Sequence, residues 1–300
     1  MGSESSFTYG GQAVVEGVMI RGQRHASVAV RRPDSTIAIH SEPISSLFTG
    51  RLRSTPMVRG IIVLIETMAL GMKALIYSAN VAAEAEGEEI SKGAMAGTLA
   101  FALLFAVGLF FLIPVLASRP LEGALGSDLL SNLSEGLIRL AVFLAYVVLI
   151  GRLGQIYRVF MYHGAEHMTV HAQEHQVPLQ VETVRRYSTA HPRCGTAFLL
   201  VVMVVSIVVF TFVARDPFWW LITSRIVLIP LVAAASYETI RFSGAHSDNP
   251  LVRLIAAPSL ALQRLTTRPP DNDQIEVAIA AMKHAVAGDE AMLAAGENQA

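Results

Sequence analysis

The chain has 300 residues, a formal net charge of −1 and 16% charged residues, whereas an ordinary soluble domain has about 25%. With 53% hydrophobic residues and a mean hydropathy of +0.49, the composition favours a membrane protein. The nearly neutral charge offers no basic surface, so no nucleic-acid partner is expected.

The first 56 residues are predicted to form a β-rich segment on the cytoplasmic side. Three stretches, 13–20, 26–32 and 35–41, combine β-branched residues with partial alternation, and turn-forming residues separate them. We therefore expect a small β-hairpin or meander ahead of the membrane part.

The next segment, 57–92, contains a long apolar helix. Within 57–83, Arg59, Glu66 and Lys73 recur at seven-residue spacing. A charged stripe of this kind favours a helix that lies at the membrane interface, or packs against the helix bundle, over a lipid-exposed span.

Residues 93–240 are predicted to form a bundle of about four transmembrane helices, so the expected fold class is mainly α. Roughly 20 apolar residues cross the hydrocarbon core. The four candidates are 93–117, 136–151, 195–214 and 218–240. The second is short and carries Arg139, and the fourth carries Arg225. Charges inside a membrane bundle usually find partners, and a pair between Arg225 and Glu66 is one possibility.

The distribution of arginines predicts the orientation. Five arginines lie in the loop 152–194, and the N-terminal region and the tail after Arg241 contain more, whereas 118–132 and 215–217 contain one each. The positive-inside rule therefore places both termini and the histidine-rich loop 152–194 in the cytoplasm.

The last segment, 241–300, is predicted to be a cytoplasmic helical tail. After a Pro-Pro break, apolar residues recur at helical spacing from Ile275 to Val286, and Asp271 and Asp273 precede them. This pattern predicts a short amphipathic helix capped by one of the two aspartates.

The stretch YHGAEHMTVHAQEH (162–175) contains four histidines and two glutamates. No proline lies between residues 157 and 173, so a helix is expected, in which residues three and four apart share a face. His163, Glu166, His167 and His171 would then project together. Two imidazoles one turn apart suit zinc or another divalent transition metal.

His163, Glu166 and His167 also follow the H-x-x-E-H order of the inverted zincins. In that chemistry both histidines bind zinc and the glutamate is the catalytic base. The alternative is that these histidines lie on an amphipathic helix beside anionic lipid headgroups and bind no metal.

A zinc site needs a third ligand, and the sequence offers several. His191 and Cys194 rank first, because their loop returns directly to the membrane beside the histidine-rich helix. His171 lies one turn further along that helix. Glu238 is the other alternative, since inverted zincins take a downstream glutamate.

The stretch YGGQAVVEGVMIRGQ (9–23) is rich in glycine around Glu16. Glycines there permit tight turns or let the backbone approach another group closely. Beyond a purely structural role, Glu16 and Arg21 could support a site on the cytoplasmic face.

Four motifs in order resemble the DUF1385, or YqhQ-like, family of bacterial membrane proteins over about residues 10–280. The motifs are YGGQAVVEGVMIRG, YHGAEHMTVHAQE, HPRCGTAFL and LTTRPPDNDQIEVAI. The resemblance implies a metal-dependent enzyme of the bacterial inner membrane and names no substrate. The residues that it carries over are Glu16, His163, Glu166, His167, His191, Arg193 and Cys194. Met168 stands where the family usually has lysine.

These observations lead to one functional hypothesis and two alternatives. The first is a zinc-dependent hydrolase that acts from the cytoplasmic face on a membrane lipid or membrane peptide, with Glu166 as the base. The second is an oligomeric cation channel or transporter in which the His/Glu cluster binds the ion or gates the path. The third is a scaffold with a structural zinc. The expected partners are membrane lipid and, for the channel or transporter, further copies of the chain in a homo-oligomer.

Overall fold

The N-terminal residues form a four-stranded antiparallel sheet in the computed structural model of the chain, which describes residues 8–45, 55–84, 92–192, 194–246 and 249–297. The strands pair in chain order: β1 (Gly10–Val14), β2 (Gly17–Arg21), β3 (His25–Arg31) and β4 (Ile37–Pro43). The predicted meander is confirmed. The stretch 13–20, predicted as one strand, is split between β1 and β2 by a two-residue turn at Val15 and Glu16.

The rest of the described chain is helical. Its helices are α1 (Val58–Ala83), α2 (Lys92–Val107), α3 (Ile113–Leu125), α4 (Asp128–Ile150), α5 (Gly154–Glu174), α6 (Val181–Val184), α7 (Gly195–Thr211), α8 (Phe218–Val227), α9 (Ile229–Ala245), α10 (Pro250–Thr266) and α11 (Asn272–Glu297). A π-helical turn, Gly108–Leu112, joins α2 to α3.

Helices cover both faces of the sheet. Successive side chains of a strand point to opposite faces, and β2 has apolar residues on each. Val18 and Ile20 of β2 pack against α5 and α11. Met19, between them, points to the other side and packs against α1. The sheet, α5, α11 and the second half of α1 therefore form one packed unit, although they are far apart in sequence.

The C-terminal helix belongs to this unit. Ile275 and Met282 are completely buried, as the predicted apolar stripe requires. Asp271 accepts a hydrogen bond from the Gln274 amide (2.9 Å), and Gln274 Oε1 accepts one from the Asp271 amide (3.0 Å). This reciprocal capping box confirms Asp271, rather than Asp273, as the cap. The helix is 26 residues long and not short.

The apolar helices form a second unit. Helix α4 packs against α3 and α7, and α7 also contacts α9 and α10. Helix α9 contacts the first half of α1, where Gly60 lies against Ala234 and Tyr237. By length and hydropathy, three helical segments of the described chain could cross a membrane, namely Val58–Ala83, Gly93–Leu125 and Asp128–Ile150. The pair α8 and α9 makes a fourth if its 43° bend lies within one span.

The candidate spans differ from the predicted ones at two segments. The segment 195–214 forms α7, an apolar helix of 17 residues that is shorter than the candidate spans of the described chain. The segment 57–83, predicted to lie at the interface or to pack against the bundle, packs against α9 and the sheet and is also long and apolar enough to span. Its buried stripe includes Glu66, Leu70 and Ala74, and the latter two pack on the sheet, which a lipid-exposed helix would not need.

Glu66 and Arg225 do not form the ion pair that the sequence suggested. Arg21 donates to Glu66 through Nη2 at 2.7 Å, which ties β2 to α1. Arg225 instead donates to Glu135 on α4 at 3.1 Å. The reason lies in the fold, since Glu66 faces the sheet and Arg225 faces the apolar helix unit.

Candidate metal centre

One face of α5 carries most of the candidate ligands. His163, His167, His171 and Glu174 are separated by four, four and three residues and therefore lie along one stripe of the helix. Other α5 residues, among them Tyr162, are buried against the sheet and α11. The stripe is consequently held at a fixed rotation.

Backbone carbonyls orient the first two rings. His163 Nδ1 lies 2.8 Å from the carbonyl oxygen of Thr266, and His167 Nδ1 lies 2.6 Å from that of Thr189. A carbonyl oxygen only accepts, so each Nδ1 carries a hydrogen and each neutral ring keeps its lone pair on Nε2. Metal-binding histidines in proteins are oriented in the same way.

Cys194 completes a group of three ligands. Its buried Sγ lies 3.2 Å from His163 Nε2. Potential ligand atoms of His163, His167 and Cys194 all lie within 4.8 Å of one another. Zinc binds imidazole nitrogen at about 2.0–2.1 Å and thiolate sulfur at about 2.3 Å in a tetrahedron. Two imidazoles and a thiol at these separations therefore fit a divalent transition metal, and zinc among them.

Glu166 lies beside this group and is also buried. Its Oε2 is 3.4 Å from His167 Nε2. Burial raises the pKa of the Glu166 carboxyl above its usual value. A carboxylate oxygen and an imidazole lone pair are both acceptors, so a proton on either group or a bound cation must compensate their approach.

Strand β1 covers Glu166 from one side. The Gly11 backbone lowers the pKa of the Glu166 carboxyl, against the larger effect of burial. A Cβ on Gly11 would lie 3.0 Å from Glu166 Cγ and would overlap the carbonyl oxygen of Met19. The glycine-rich stretch thus allows a close backbone approach, one of the two roles expected for it.

The segment between α10 and α11 covers a second side. Beyond the contact of Thr266 with His163, the Arg268 amide donates to the Phe160 carbonyl at 2.9 Å. The Arg268 carbonyl then passes directly over Gly164, where a Cβ would overlap it. This packing brings the stretch LTTRPP (265–270), which is far along the chain, against the histidine-rich helix.

A buried glutamine fixes the loop before Cys194. The His191 amide donates to Gln263 Oε1 at 2.8 Å, and Gln263 Nε2 donates to the His191 carbonyl at 2.9 Å. Gln263 is completely buried on α10. This pair of bonds places His191 and Cys194 beside α5.

The structure divides the ligands that were predicted to compete for one ion. Cys194 joins His163 and His167, whereas His191 and His171 form a second group with Glu174. His191 Nε2 lies 3.3 Å from Glu174 Oε2.

The remaining predicted residues lie apart from both groups or outside the described residues. Glu238 accepts hydrogen bonds from Arg59, an arrangement that links α9 to the start of α1. Within the described residues it belongs to neither ligand group, because Arg59 occupies its carboxylate. Arg193 is outside the described residues.

Glu16 supports α5 without entering a ligand group. Its carboxylate accepts hydrogen bonds from Arg158 (2.7 and 2.5 Å) and from the Tyr162 hydroxyl (3.2 Å). The Arg158 guanidinium, through its hydrogen bonds, lowers the pKa of Glu16. The turn between β1 and β2 is thereby attached to the helix that carries the histidines.

Three contributions to the candidate site were not predicted from the sequence. Glu174 lies in the histidine-rich stretch at i+3 from His171, so its spacing could have indicated a ligand. The carbonyl of Thr189 and the side chain of Gln263 act through tertiary contacts, and their local sequence carries no signal for them.

The comparisons with known proteins point to the same family as the four motifs in the sequence. A family model described as "Protein of unknown function (DUF1385)" matches residues 55–288. A Bacillus subtilis (strain 168) protein named "Uncharacterized protein YqhQ" is 35% identical over 288 residues, which cover 90% of each chain. No solved structure matches the chain.

Proposed function

This chain belongs to the DUF1385 family, whose function is unknown, and we propose that it is a membrane-associated, metal-dependent hydrolase. Several long apolar helices suggest a membrane protein. In our proposal, His163, His167 and Cys194 hold a divalent transition metal, zinc being the best fit to one thiolate and two imidazoles. The substrate is a membrane lipid or a membrane peptide.

The observation that carries the proposal is the position of Glu166. Three protein ligands leave one position of a tetrahedral metal open, which is the pattern of catalytic rather than structural zinc. The buried carboxylate lies next to that ligand set, 3.4 Å from His167 Nε2. A bound metal would act as a Lewis acid and bring the pKa of water towards neutrality. Glu166 would accept the proton from that water.

The surroundings of α5 favour this role over ion transport. The histidine-bearing helix packs on the sheet and α11, and it is not among the candidate spans. A conduction path would instead need these residues to line a passage between spanning helices. A purely structural zinc would be expected to have four protein ligands.

The exposed apolar face of helix α1 favours a substrate that resides in the membrane. Opposite its sheet-facing stripe, the apolar side chains of Ile65 (52% exposed), Met68 (64%) and Leu75 (41%) point outwards. An exposed apolar face on a helix attached to the sheet is suited to contact lipid. The metal centre would then lie close to the membrane surface.

The experiment compares two variants of the purified protein. Glu166→Gln should retain its metal, measured by elemental analysis, and lose hydrolysis of fluorogenic phospholipids in vesicles or of a lipid-anchored fluorogenic peptide. A general base contributes about 10²–10⁴-fold to a rate, so a loss of that size is expected. The double variant His163→Ala/His167→Ala should lose both metal and activity.

Glu182→Gln, which removes an exposed carboxylate nearby in sequence, is the matched control and should behave like the wild type. Full activity in Glu166→Gln would show that Glu166 is not the base. Wild-type protein without any transition metal after purification in zinc-supplemented medium would refute the metal centre.

The orientation is part of the proposal. The arginine-rich stretch around α5 supports a cytoplasmic metal centre with both termini in the cytoplasm. Alkaline phosphatase fused to the C-terminus should be inactive, and a fluorescent protein fused there should be bright. Active alkaline phosphatase would reverse the orientation.

A further inference from the structure

The second ligand group on α5 has the composition and arrangement of a metal site of its own. Potential ligand atoms of His171, Glu174 and His191 lie within 4.8 Å of one another. Two imidazoles and a carboxylate are a common ligand set of divalent transition metals. The group shares no residue with His163, His167 and Cys194.

The two groups repeat one construction. Helix α5 supplies His163 and His167 to the first and His171 and Glu174 to the second, while the loop before α7 supplies Cys194 and His191 respectively. The midpoints of the two helical pairs are about 11 Å apart along the helix axis, at 1.5 Å per residue. Two ions could therefore be bound without a shared ligand.

The contacts of the second group are those of a prepared site. His171 Nε2 lies 2.9 Å from the Ala190 carbonyl oxygen, so it carries the hydrogen and the lone pair of the neutral ring is on Nδ1. The buried His191 faces Glu174 Oε2 at 3.3 Å, and its backbone is fixed by Gln263. The centroids of the His171 and His191 rings are 4.5 Å apart.

The groups differ in exposure. Each group has one half-buried and one buried histidine, but the third ligand differs, since Cys194 of the first group is buried whereas Glu174 of the second is exposed. The imidazoles nevertheless form a continuous series, since the His167 and His191 centroids are 5.8 Å apart. An ion in the second group would reach solvent more directly and exchange more readily.

We propose that His171, Glu174 and His191 form a second binding site for a divalent transition metal, so that the protein binds two ions, one buried and one exchangeable. This inference concerns binding alone and stands independently of the proposed hydrolase activity.

Cobalt(II) titration of the full-length, metal-free protein in detergent tests the proposal, because the two sites differ in their ligands. Only the first contains a thiolate, so only its occupation should produce thiolate-to-cobalt charge-transfer absorption. The second equivalent should add d–d absorption without further charge transfer. Elemental analysis at saturation should give two ions per chain, and dialysis should remove one of them first.

Two variants identify the residues of the second site. Glu174→Gln and His191→Ala should each bind one cobalt per chain and retain the charge-transfer absorption. His284→Ala removes an exposed histidine from α11 and, as the matched control, should bind two. Glu174→Gln is the milder change and keeps the test decisive if His191→Ala misfolds.

Each other result has a distinct meaning. One cobalt in the wild type that disappears in His163→Ala/His167→Ala refutes the second site and leaves the proposed catalytic site intact. One cobalt that disappears in His191→Ala but persists in His163→Ala/His167→Ala refutes the proposed catalytic site instead. Two ions that persist in both Glu174→Gln and His191→Ala show that the second ion binds elsewhere.

Discussion

At the scale of single residues, Gly164 is the position where local propensity and tertiary packing disagree most clearly. In the interior of a helix, alanine is about 0.5–1 kcal/mol more favourable than glycine. On α5, however, a Cβ at this position would overlap the Arg268 carbonyl oxygen and approach Thr189 Cγ2 to 3.2 Å. Both neighbours belong to the segments that orient His163 and His167.

We therefore expect Gly164→Ala to destabilise the protein by about 1–3 kcal/mol, the usual cost of overpacking, and to lower its metal content. Gly154→Ala is the matched control, because a Cβ on Gly154 has no atom within 4 Å in the described residues. Thermal unfolding in detergent and elemental analysis measure the two effects. Equal stability of the two variants would contradict the close packing over Gly164.

The contribution of Glu16 to the stability of the protein should depend on pH. The pKa of Glu16 is lowered by the hydrogen bonds from Arg158, so the folded state binds a proton at this carboxyl less readily than the unfolded state. The stabilisation is therefore present above the ordinary carboxyl pKa of about 4.3 and is lost as the pH falls through the folded pKa.

Glu16→Gln should consequently destabilise the protein at pH 7 by about 0.5–1 kcal/mol, since Glu16 and Arg158 are partly exposed. The difference in melting temperature from wild type should shrink as the pH is lowered below about 4. Glu290→Gln, an exposed carboxylate on α11, is the control. A difference that stays constant with pH would show that the charge of Glu16 is not what matters.

The residue scale also shows what a sequence can and cannot predict about the site. The H-x-x-E-H spacing was sufficient to predict that His163, Glu166 and His167 share a face, because helical periodicity alone decides it. The choice between Cys194 and His191 depended on the path of the intervening loop. That path is fixed by Gln263, more than seventy positions away, and no local pattern encodes it.

At the scale of elements, the C-terminal half of α11 is attached to the turn between β2 and β3 by one carboxylate. Asp289 accepts hydrogen bonds from the amides of Gln23, Arg24 and His25 at 2.5, 2.7 and 2.9 Å. The residue is buried, with 3% exposure. Charged hydrogen bonds of this kind contribute more than neutral ones, about 1.5–3 kcal/mol each.

Asp289→Asn should therefore lose about 1–3 kcal/mol, because an amide has one acceptor oxygen and presents an NH2 group to the remaining amides. Hydrogen exchange at residues 23–25 should accelerate. Lys283→Gln, at an exposed position on the same helix, should leave exchange unchanged. Unaltered protection in Asp289→Asn would mean that packing of α11, and not this carboxylate, holds the turn.

Elements differ in how far the sequence predicts them. The strands and the apolar stripe of α11 follow from alternation and helical spacing, and both are confirmed. The division of 13–20 into two strands was missed because Glu16 adopts a positive φ of 49°, which is uncommon for a residue other than glycine. The role of α1 depends on its two partners, since its first half contacts α9 and its second half contacts the sheet.

At the scale of the whole molecule, the apolar helices hold a buried charge cluster at the end of α4 opposite to α5. Glu135 accepts hydrogen bonds from three arginines, namely Arg139 (2.6 Å), Arg215 (2.8 Å) and Arg225 (3.1 Å). Glu135 precedes Ile150, the last residue of α4, by 15 positions, which corresponds to about 22 Å of helix. The cluster and the candidate metal centre are thus separate features of the fold.

Glu135→Gln should be among the most destabilising single changes in the chain, because it leaves three arginines around a neutral amide in a buried site. Breaking a buried ion pair by removing one partner costs about 3–5 kcal/mol. Glu122→Gln is the matched control, since Glu122 also pairs with Arg215 but is 36% exposed, and it should cost about 0–1 kcal/mol.

Thermal unfolding in detergent compares the stability of the two variants, and elemental analysis measures whether metal is lost only when the protein unfolds. Loss of metal from the folded Glu135→Gln variant would mean that a change at Glu135 displaces α5 through α4. Similar stability of both variants would mean that water reaches Glu135 and that the cluster contributes little to the bundle.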